Sequence, residues 1–344
     1  MKKFLALLLA FLLVFCCACT EQEEQQNNVE GILQVYFIDV GQADCALIIQ
    51  GEQAMLVDGG NVSDAPDVIS FIKSKNVKTL DVVVGTHAHE DHIGGLGAII
   101  DNFTVNKVYC PVDNYDSTAF EEFKDAANRQ CGITLSKKGD YWQIGESKIN
   151  VLWPKSTNGW DTNNTSIVFT LKFGKVTYLF TGDAEHDVET SIINDGADIK
   201  ADVLKVGHHG SGTSSSYYFL RTVMPSFAVI SCGKDNSYGH PHQNILERYV
   251  QAQATVLRTD RGGTVCISTD GEEITVKQGD VVQTVLQENA TPGFQPTAYI
   301  GNKNSKKFHL PSCDSLPKKE NRVIFDLRQE AVNAGYSPCG ACKP

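Results

Sequence analysis

Thr86-His87-Ala88-His89-Glu90-Asp91-His92-Ile93-Gly94-Gly95 is the most informative stretch of this sequence. The apolar run Leu80–Val84 before it predicts a buried strand, and Gly94–Ile100 predicts a helix. A regular helix cannot direct four potential ligands within six residues to one point, whereas a tight loop at a strand end can. Because neutral imidazoles and carboxylates bind Zn²⁺, Mn²⁺ and Fe, the stretch predicts a metal site at a sheet edge. The alternative is a surface loop that is merely rich in histidine.

The motif His-x-His-x-Asp-His after a strand resembles the signature of the metallo-β-lactamase superfamily. Two other segments resemble the soluble C-terminal hydrolase domain of ComEC-type competence proteins. They are Phe37-Ile38-Asp39-Val40-Gly41-Gln42-Ala43-Asp44 and Leu204-Lys205-Val206-Gly207-His208-His209-Gly210-Ser211. Strands alternate with helices over the same region, about residues 31–285. The resemblance therefore implies an α/β fold, the αββα sandwich of this superfamily, with its metal site at one edge.

The resemblance also implies a ligand set for two divalent metal ions, Zn²⁺ or Mn²⁺. His87 and His89 would bind the first ion, Asp91 and His92 the second, and Asp183 would bridge the two. Asp183 follows an apolar strand, and a shared anion reduces the repulsion between two dications about 3.5–4 Å apart. The alternative for Asp183 is a cap of the following helix. By its position in the family motif, His208 would complete the second site.

Three further residues each have two alternative roles. His209 either contacts the substrate or forms a hydrogen bond within its loop, and His242 either donates to a phosphoryl oxygen or is a satisfied loop histidine. No histidine lies between His92 and residue 186, where many family members have another ligand. An Asn-rich segment, 161–166, stands there, and Asn164 would lie near the metal or bind a phosphate.

Aspartates at two other strand ends should face the same edge of the sandwich. Asp44 and Asp58 are therefore expected to orient the ligand histidines through hydrogen bonds.

The expected activity is metal-dependent hydrolysis of a phosphodiester, most simply by a DNA nuclease in which two metal ions activate a water molecule. This expectation comes from the ligand set together with the competence-protein resemblance. The alternatives are a hydrolase of cell-wall or lipid phosphodiesters or of a lactam, and a lipoprotein that only binds DNA or another anionic polymer. The complete ligand set argues against a degenerate site. No nucleotide cofactor is expected.

The N-terminus resembles a bacterial lipoprotein signal. A positive start, Met1-Lys2-Lys3, is followed by the apolar run Phe4–Phe15, which at 12 residues is short for a membrane span. Residues 1–19 are the expected signal peptide, with Cys19 as the lipidated residue, and residues 20–30 the tether. The protein would then be exported and anchored on the outer face of a bacterial cytoplasmic membrane. Ordinary secretion or an uncleaved anchor remain alternatives.

The C-terminal segment predicts a second metal site. Histidine and cysteines follow the order His309-x₃-Cys313 and then Cys339-x₂-Cys342. One imidazole and three thiolates make a closed tetrahedral zinc site, which would stabilise a segment that has little core. A redox pair or a disulfide is the alternative.

This segment, residues 297–344, resembles the zinc-binding domain of the Ada methyl-phosphotriester repair protein. That domain uses four cysteines, one of which accepts the methyl group, and His309 stands at the first of these positions. Because imidazole cannot replace that thiolate as the acceptor, the resemblance implies a structural Zn²⁺ and a weak affinity for the DNA backbone, but no repair activity. Residues 287–296, rich in loop-forming residue types, would link it to a hydrolase domain spanning residues 31–286.

Composition and charge narrow the classes of function. With 42% hydrophobic and 21% charged residues the chain can bury a core, which excludes a disordered or fibrous protein. The net charge of −11 argues against a general nucleic-acid binder. The charge is uneven, however. Residues 297–344 carry eight Lys and Arg against four Asp and Glu, whereas residues 20–296 carry 20 against 37. A basic appendage therefore follows an acidic hydrolase domain, and the alternative is a solvated basic surface without a ligand.

Overall fold

The computed structural model describes residues 30–286, 299–309, 313, 315–325 and 328–341. The predicted signal peptide, the linker 287–296, Cys342 and all of the tether except Glu30 lie outside these residues.

Strands and helices alternate through residues 30–286. In chain order the strands are β1 (Leu33–Phe37), β2 (Ala46–Gln50), β3 (Gln53–Val57), β4 (Thr79–Leu80), β5 (Val82–Val84), β6 (Thr104–Val105), β7 (Val108–Cys110), β8 (Ile133–Leu135), β9 (Tyr141–Ile144), β10 (Ser147–Trp153), β11 (Val168–Phe173), β12 (Val176–Phe180), β13 (Val203–Lys205), β14 (Phe227–Ile230), β15 (Thr255–Arg258), β16 (Val265–Thr269), β17 (Glu273–Gln278) and β18 (Val281–Leu286). The α-helices are α1 (Ala65–Ser74), α2 (Glu90–Ile93), α3 (Leu96–Asn102), α4 (Thr118–Gln130), α5 (His186–Asn194), α6 (Tyr217–Val223), α7 (Gln243–Gln251) and α8 (Thr259–Gly262).

Two mixed sheets hold most of these strands. The first has the order β18-β17-β16-β1-β2-β3-β5-β7-β8, and the second has the order β15-β14-β13-β12-β11-β10-β9. The sheets pack face to face through buried side chains of both, among them Phe37, Val57, Phe169 and Phe180. The ring centroids of Phe37 and Phe180 lie 5.9 Å apart across this layer. The burial of these large apolar side chains is what holds the two sheets together.

Helices cover the outer face of each sheet. The apolar side of α1, α3 and α4 packs on the first sheet, where Val68, Ile99 and Phe123 are buried. Helices α5, α6 and α7 cover the second sheet, where Val188 and Leu220 are buried. The layer order is thus helix, sheet, sheet, helix. The predicted αββα sandwich is confirmed.

Parallel pairing brings the loops that carry the predicted ligands to one edge. Strand β3 runs parallel to β5 in the first sheet, and β12 runs parallel to β13 in the second. The carboxyl ends of these strands lead into Asp58, His87, Asp183 and His208, respectively. Because strands that run in one direction end at the same edge, the loops meet where the two sheets open.

The C-terminal segment forms a small separate sheet. Its strands are β19 (Tyr299–Asn302), β20 (Lys307–His309), β21 (Arg322–Phe325) and β22 (Ser337–Pro338), and their order in the sheet is β21-β19-β20-β22. Helix α9 (Arg328–Asn333) contacts β19 and β21. Its buried cluster consists of Phe308, Phe325, Ala331 and Tyr336. Such a small core agrees with the expectation that a metal ion stabilises this segment.

Two further observations concern the chain as a whole. No disulfide bond joins cysteines in the described part of the chain. Every helix that the structure describes is too short or too polar to cross a membrane.

Metal removal should unfold the C-terminal segment and leave the sandwich intact. In a Cys313→Ala/Cys339→Ala variant we expect amide protons of residues 299–309 to exchange rapidly, because the small apolar core there depends on the metal. Hydrogen exchange followed by mass spectrometry measures this, with strands β11 and β12 as the internal reference. The control is Cys131→Ala, which removes an exposed thiol from the hydrolase domain. Unchanged exchange in the double variant would show that no metal is needed there.

Candidate metal centre

The loop after β5 brings two imidazoles together. Nε2 of His87 lies 3.1 Å from Nδ1 of His89, with the two rings nearly perpendicular. His89 is the N-cap of the short helix α2, so its ring stands at the turn between the strand and the helix. His87 is buried, and its Nε2 also lies 3.9 Å from Oδ2 of Asp183. His87 thus contacts both other side chains, and we call His87, His89 and Asp183 the first ligand group.

A second ligand group lies beside the first. It comprises Asp91, His92, Asp183 and His209, whose ligand atoms all lie within 4.8 Å of one another. Nε2 of His92 is 3.3 Å from Oδ1 of Asp183, and Nε2 of His209 is 3.2 Å from Oδ2 of Asp91. Asp183 therefore belongs to both groups. It is not the cap of the following helix, because Glu185 occupies that position.

Unpartnered polar atoms in this group fit a bound cation. Nε2 of His92, Nε2 of His209 and Oδ1 of Asp183 are buried and have no hydrogen-bond partner among the described residues. Buried polar atoms without partners are costly and rare in folded proteins. Imidazole nitrogens and a carboxylate oxygen directed at one space make a donor set that suits Zn²⁺ or Mn²⁺.

Asp58 fixes the orientation of His92. Oδ2 of Asp58 lies 2.9 Å from Nδ1 of His92. Because a carboxylate only accepts, Nδ1 carries the proton and Nε2 is left for the metal. Thr86 donates to both carboxylate oxygens, from its backbone N–H at 2.7 Å and from its hydroxyl at 2.8 Å. Asp58 thus has the orienting role expected for it.

Asp44 stands in a similar position beside His209. Its Oδ1 lies 3.3 Å from Nδ1 of His209, which also donates to the carbonyl oxygen of Ser231 at 3.0 Å. Oδ2 of Asp44 lies 2.7 Å from Nζ of Lys205, and both side chains are buried. This ion pair fixes the carboxylate, and the carboxylate and Ser231 together fix the ring of His209.

The charges of the site are strongly coupled. Burial alone would raise the pKa of Asp183, but the imidazoles of His92 and His209 lower it well below its usual value. Burial lowers the pKa of His209, but Asp183 and Asp44 outweigh this effect and raise it to about 10. The pKa of His87 falls well below its usual value because of burial and the nearby His92. The carboxylate of Asp183 is therefore ionised at neutral pH, as a metal ligand must be.

In the second group the structure places His209 where the family resemblance implies His208. His209 occupies that place, with Nε2 directed at Asp91 and Asp183. His208 lines the cavity, with Nδ1 3.3 Å from Oε1 of Glu185 and Nε2 3.7 Å from Oδ2 of Asp183. Both histidines have positive φ, 49° and 52°, so the backbone turns tightly between them and their side chains diverge.

The structure also separates Asn164 from the metal groups. Oδ1 of Asn164 accepts from the backbone N–H of Glu185 at 3.0 Å, and Nδ2 donates to Asp161 at 2.8 Å. These hydrogen bonds use both ends of the buried amide, so Asn164 fixes the loop instead of contacting a ligand. Its neighbour Asn163 faces the cavity, and Oδ1 of Asn163 is buried without a partner among the described residues.

His242 is placed differently from the expectation of a proton donor. Its Nδ1 accepts from the backbone N–H of Gly212 at 2.8 Å, and it forms the N-cap position of α7. His240, two residues earlier, lines the cavity instead, and burial lowers its pKa to about 4. His240 is therefore a neutral side chain near the metal groups at pH 7.

Sequence reasoning missed three residues that the structure brings to the site: Lys205, Glu185 and Asn163. Lys205 is a buried lysine at the end of an apolar strand, and Glu185 follows Asp183 by two residues. A charged residue in an apolar run was the available signal for Lys205, since lysine is almost never fully buried unless it is paired.

A cavity of about 680 Å³ opens over both ligand groups. His89, Asp91, Asn163, Asp183, His208 and His240 are among its lining residues. The cavity wall consists of polar side chains, and it includes His89 of the first group, Asp91 and His209 of the second and the shared Asp183. A substrate in this cavity would therefore contact both groups at once.

The C-terminal site lies in the small sheet. Ligand atoms of His309, Cys313 and Cys339 are within 4.8 Å of one another, and Nδ1 of His309 is 3.3 Å from Sγ of Cys313. All three side chains are buried. Cys342, the fourth expected ligand, lies outside the described residues.

Comparison with known families agrees with this geometry. The model of the metallo-β-lactamase superfamily matches residues 38–233. The chain belongs to the metallo-β-lactamase superfamily. The model of the metal-binding domain of Ada matches residues 282–344. Both predicted resemblances are thereby confirmed, and the protein is a metal-dependent hydrolase by fold, with an appended zinc-binding domain.

The chain is also similar to competence proteins. It is 34% identical to ComE operon protein 3 of Bacillus subtilis, over 67% of this chain and 32% of that protein. It is 31% identical to competence protein ComA of Neisseria gonorrhoeae, over 66% of this chain and 31% of that protein. The chain thus spans about a third of the length of these relatives.

Among solved structures, the metallo-β-lactamase fold protein YhfI of Bacillus subtilis is similar, with a TM-score of 0.48 and 13% identity. The match covers 74% of this chain and all of that one.

Loss of Asp58 should weaken metal binding without unfolding the sandwich. In an Asp58→Asn variant we expect the affinity for Zn²⁺ to fall by about 10–100-fold, because an amide can hold the wrong tautomer of His92. Titration with a zinc-competing chelator measures the affinity. Asp101→Asn, which changes an exposed carboxylate paired with Arg129, is the control and should bind Zn²⁺ as the wild type does. Equal affinities for the two variants would contradict the orienting role.

Proposed function

We propose that this protein is a metal-dependent phosphodiesterase that cleaves DNA. The observation that carries the proposal is the pair of ligand groups that share Asp183. Its relatives named competence proteins, and one named recombination protein 2 of Haemophilus influenzae, support DNA as the substrate. We assign two divalent ions, Zn²⁺ or Mn²⁺, to the hydrolase domain and one structural Zn²⁺ to the C-terminal domain.

The ligand assignment follows from the two groups. His87, His89 and Asp183 would hold one ion, and Asp91, His92, His209 and Asp183 would hold the other. When bound, the ions supply a Lewis acid and lower the pKa of a coordinated water.

The remaining polar residues of the site orient the ligand histidines and bind the substrate. Asp58 holds the imidazole of His92 in the correct tautomer, and the carbonyl oxygen of Ser231, with Asp44 beside it, does so for His209. His240 and Asn163 line the cavity, where they can donate hydrogen bonds to the non-bridging oxygens of a phosphodiester. The carboxylates would repel an anionic substrate if no cation were present, so substrate binding should itself depend on the metal.

A second cavity supports a polymeric substrate. It has a volume of about 510 Å³ and lies where helix α5 faces the C-terminal domain. Several acidic residues line this cavity, together with features that suit a nucleic-acid strand. These features are four basic side chains, Lys155, Lys303, Lys319 and Arg322, and the indole of Trp160. Basic side chains contact phosphates, and an aromatic ring can stack on a base. His186, the first residue of α5, lines this cavity and directly follows Glu185, which contacts His208.

We further propose domain limits for the chain and a place in the cell where the protein acts. We place the signal peptide at residues 1–19, the tether at 20–30, the hydrolase domain at 31–286, the linker at 287–296 and the zinc-binding domain at 297–344. Cys19 would carry the lipid, so that the enzyme acts on the outer face of the cytoplasmic membrane. The signal-like N-terminal sequence supports this location, and a competence-protein relationship agrees with a role at the cell envelope.

DNA cleavage should depend on the shared carboxylate. We expect the wild-type protein, supplied with Mn²⁺ or Zn²⁺, to cleave single- or double-stranded DNA, and Asp183→Asn to lower the rate by about 100-fold or more, because both ions lose a ligand. Gel electrophoresis of labelled DNA measures the rate.

The matched control is Asp125→Asn, an exposed carboxylate on α4, which should cleave as the wild type does. Metal-loaded wild type that cleaves no DNA would contradict the nuclease proposal. Hydrolysis of a teichoic-acid phosphodiester or of a lactam by the same sample would then identify the substrate class.

A further inference from the structure

The first ligand group is short of one side chain. It has two imidazoles and the shared carboxylate, whereas the second group has two carboxylates and two imidazoles. No histidine of the sequence lies between His92 and His186 to supply another ligand. The segment that faces the first group at this point contributes Asn163, whose amide lines the cavity.

His208 stands next to this gap. Its Nε2 lies 3.7 Å from Oδ2 of Asp183, the carboxylate oxygen that Nε2 of His87 approaches to 3.9 Å and Nε2 of His209 to 3.7 Å. Nδ2 of Asn163 lies 3.5 Å from Nε2 of His208. The imidazole therefore presents a ring nitrogen to the shared carboxylate from the side where the asparagine lies.

The other ring nitrogen of His208 is held as metal-ligating histidines usually are. Nδ1 lies 3.3 Å from Oε1 of Glu185 and 3.1 Å from Oγ1 of Thr213. A carboxylate partner on Nδ1 fixes the tautomer in which Nε2 is the free donor to a metal. The same arrangement holds for His92, where Asp58 is the carboxylate.

The tight turn separates the two adjacent histidines. His208 and His209 both adopt left-handed φ angles, and their ring centroids lie 6.3 Å apart with planes at 65°. His209 is buried against Asp44 and directed at Asp91, while His208 is partly exposed in the cavity. The two rings thus approach the shared carboxylate from different sides.

We infer that His208 and His209 serve different metal ions. His208 Nε2 completes the ligand set of the ion held by His87, His89 and Asp183, and His209 Nε2 completes the set held by Asp91, His92 and Asp183. One turn, residues 207–210, then supplies a ligand to each ion and compensates for the missing upstream histidine. This inference rests on the two-ion part of the proposed function and not on the substrate.

Counting bound zinc in single and double variants tests the inference. All samples are incubated with Zn²⁺ as the only metal, at the same free concentration set by a chelator buffer. The zinc bound per chain is then measured by inductively coupled plasma mass spectrometry. The wild type should bind three ions, one of them in the C-terminal domain. His208→Ala should bind two. His87→Ala/His208→Ala should also bind two, because both changes affect the same ion. His208→Ala/His209→Ala should bind one, because both ions of the hydrolase domain are lost.

Two controls keep the count interpretable. His186→Ala removes a histidine outside both ligand groups and should bind three ions. Circular dichroism and thermal unfolding of each variant, recorded without metal, verify that the sandwich is folded, so that a lost ion reports a lost ligand.

Three results would overturn the inference. These are a full complement of zinc in His208→Ala, two ions in His208→Ala/His209→Ala, or a wild type with a single ion in its hydrolase domain. The last result would also contradict the two-ion part of the proposed function. The expected counts without any cleavage of DNA would contradict only the nuclease proposal and would leave this inference standing.

Discussion

The buried carboxylate of Asp183 is the constraint on which the rest of the metal centre depends. Removing an unpaired charge from water costs on the order of several kcal/mol, and this side chain is almost fully buried. The imidazoles of His92 and His209 offset that cost. The backbone N–H of Asp183 donates to the hydroxyl of Ser166, which fixes the loop. A cation between these groups would satisfy the nitrogen and oxygen atoms that have no partner among the described residues.

The sandwich makes this concentration of charge possible. Parallel strands from two sheets end at one edge, so loops that are far apart in the chain meet without long connections. The apolar layer between the sheets is rigid and well packed, which holds the strand ends at fixed separations. Short contacts between buried groups then fix the side chains around the ligands. Asp58 contacts His92, and Lys205 pairs with Asp44.

Much of this arrangement could be predicted from the sequence. The His-x-His-x-Asp-His motif at a strand end indicated both the superfamily and the edge where the ligands meet. The roles of His208 and His209 could not be predicted in the same way, because they depend on two left-handed backbone angles in one turn. Asn163 and Asn164 were likewise indistinguishable until hydrogen bonds showed which amide faces inward.

Among the strands of the hydrolase domain, β8, β9 and β18 were not predicted from the sequence. β9 is short, and its alternating exposed and buried residues, Tyr141–Ile144, were the signal available for it. The N-terminal signal, Cys19 as the lipidated residue and the domain limits stay predictions.

Electron paramagnetic resonance of the Mn²⁺-loaded protein tests the central claim most directly, which is that one carboxylate joins two metal ions. Two Mn²⁺ ions bridged by Asp183 would be magnetically coupled and would give a broad multiline spectrum at low temperature. We expect that spectrum for the wild type and its loss in Asp183→Asn. A simple six-line spectrum of isolated ions in the fully loaded wild type would contradict it.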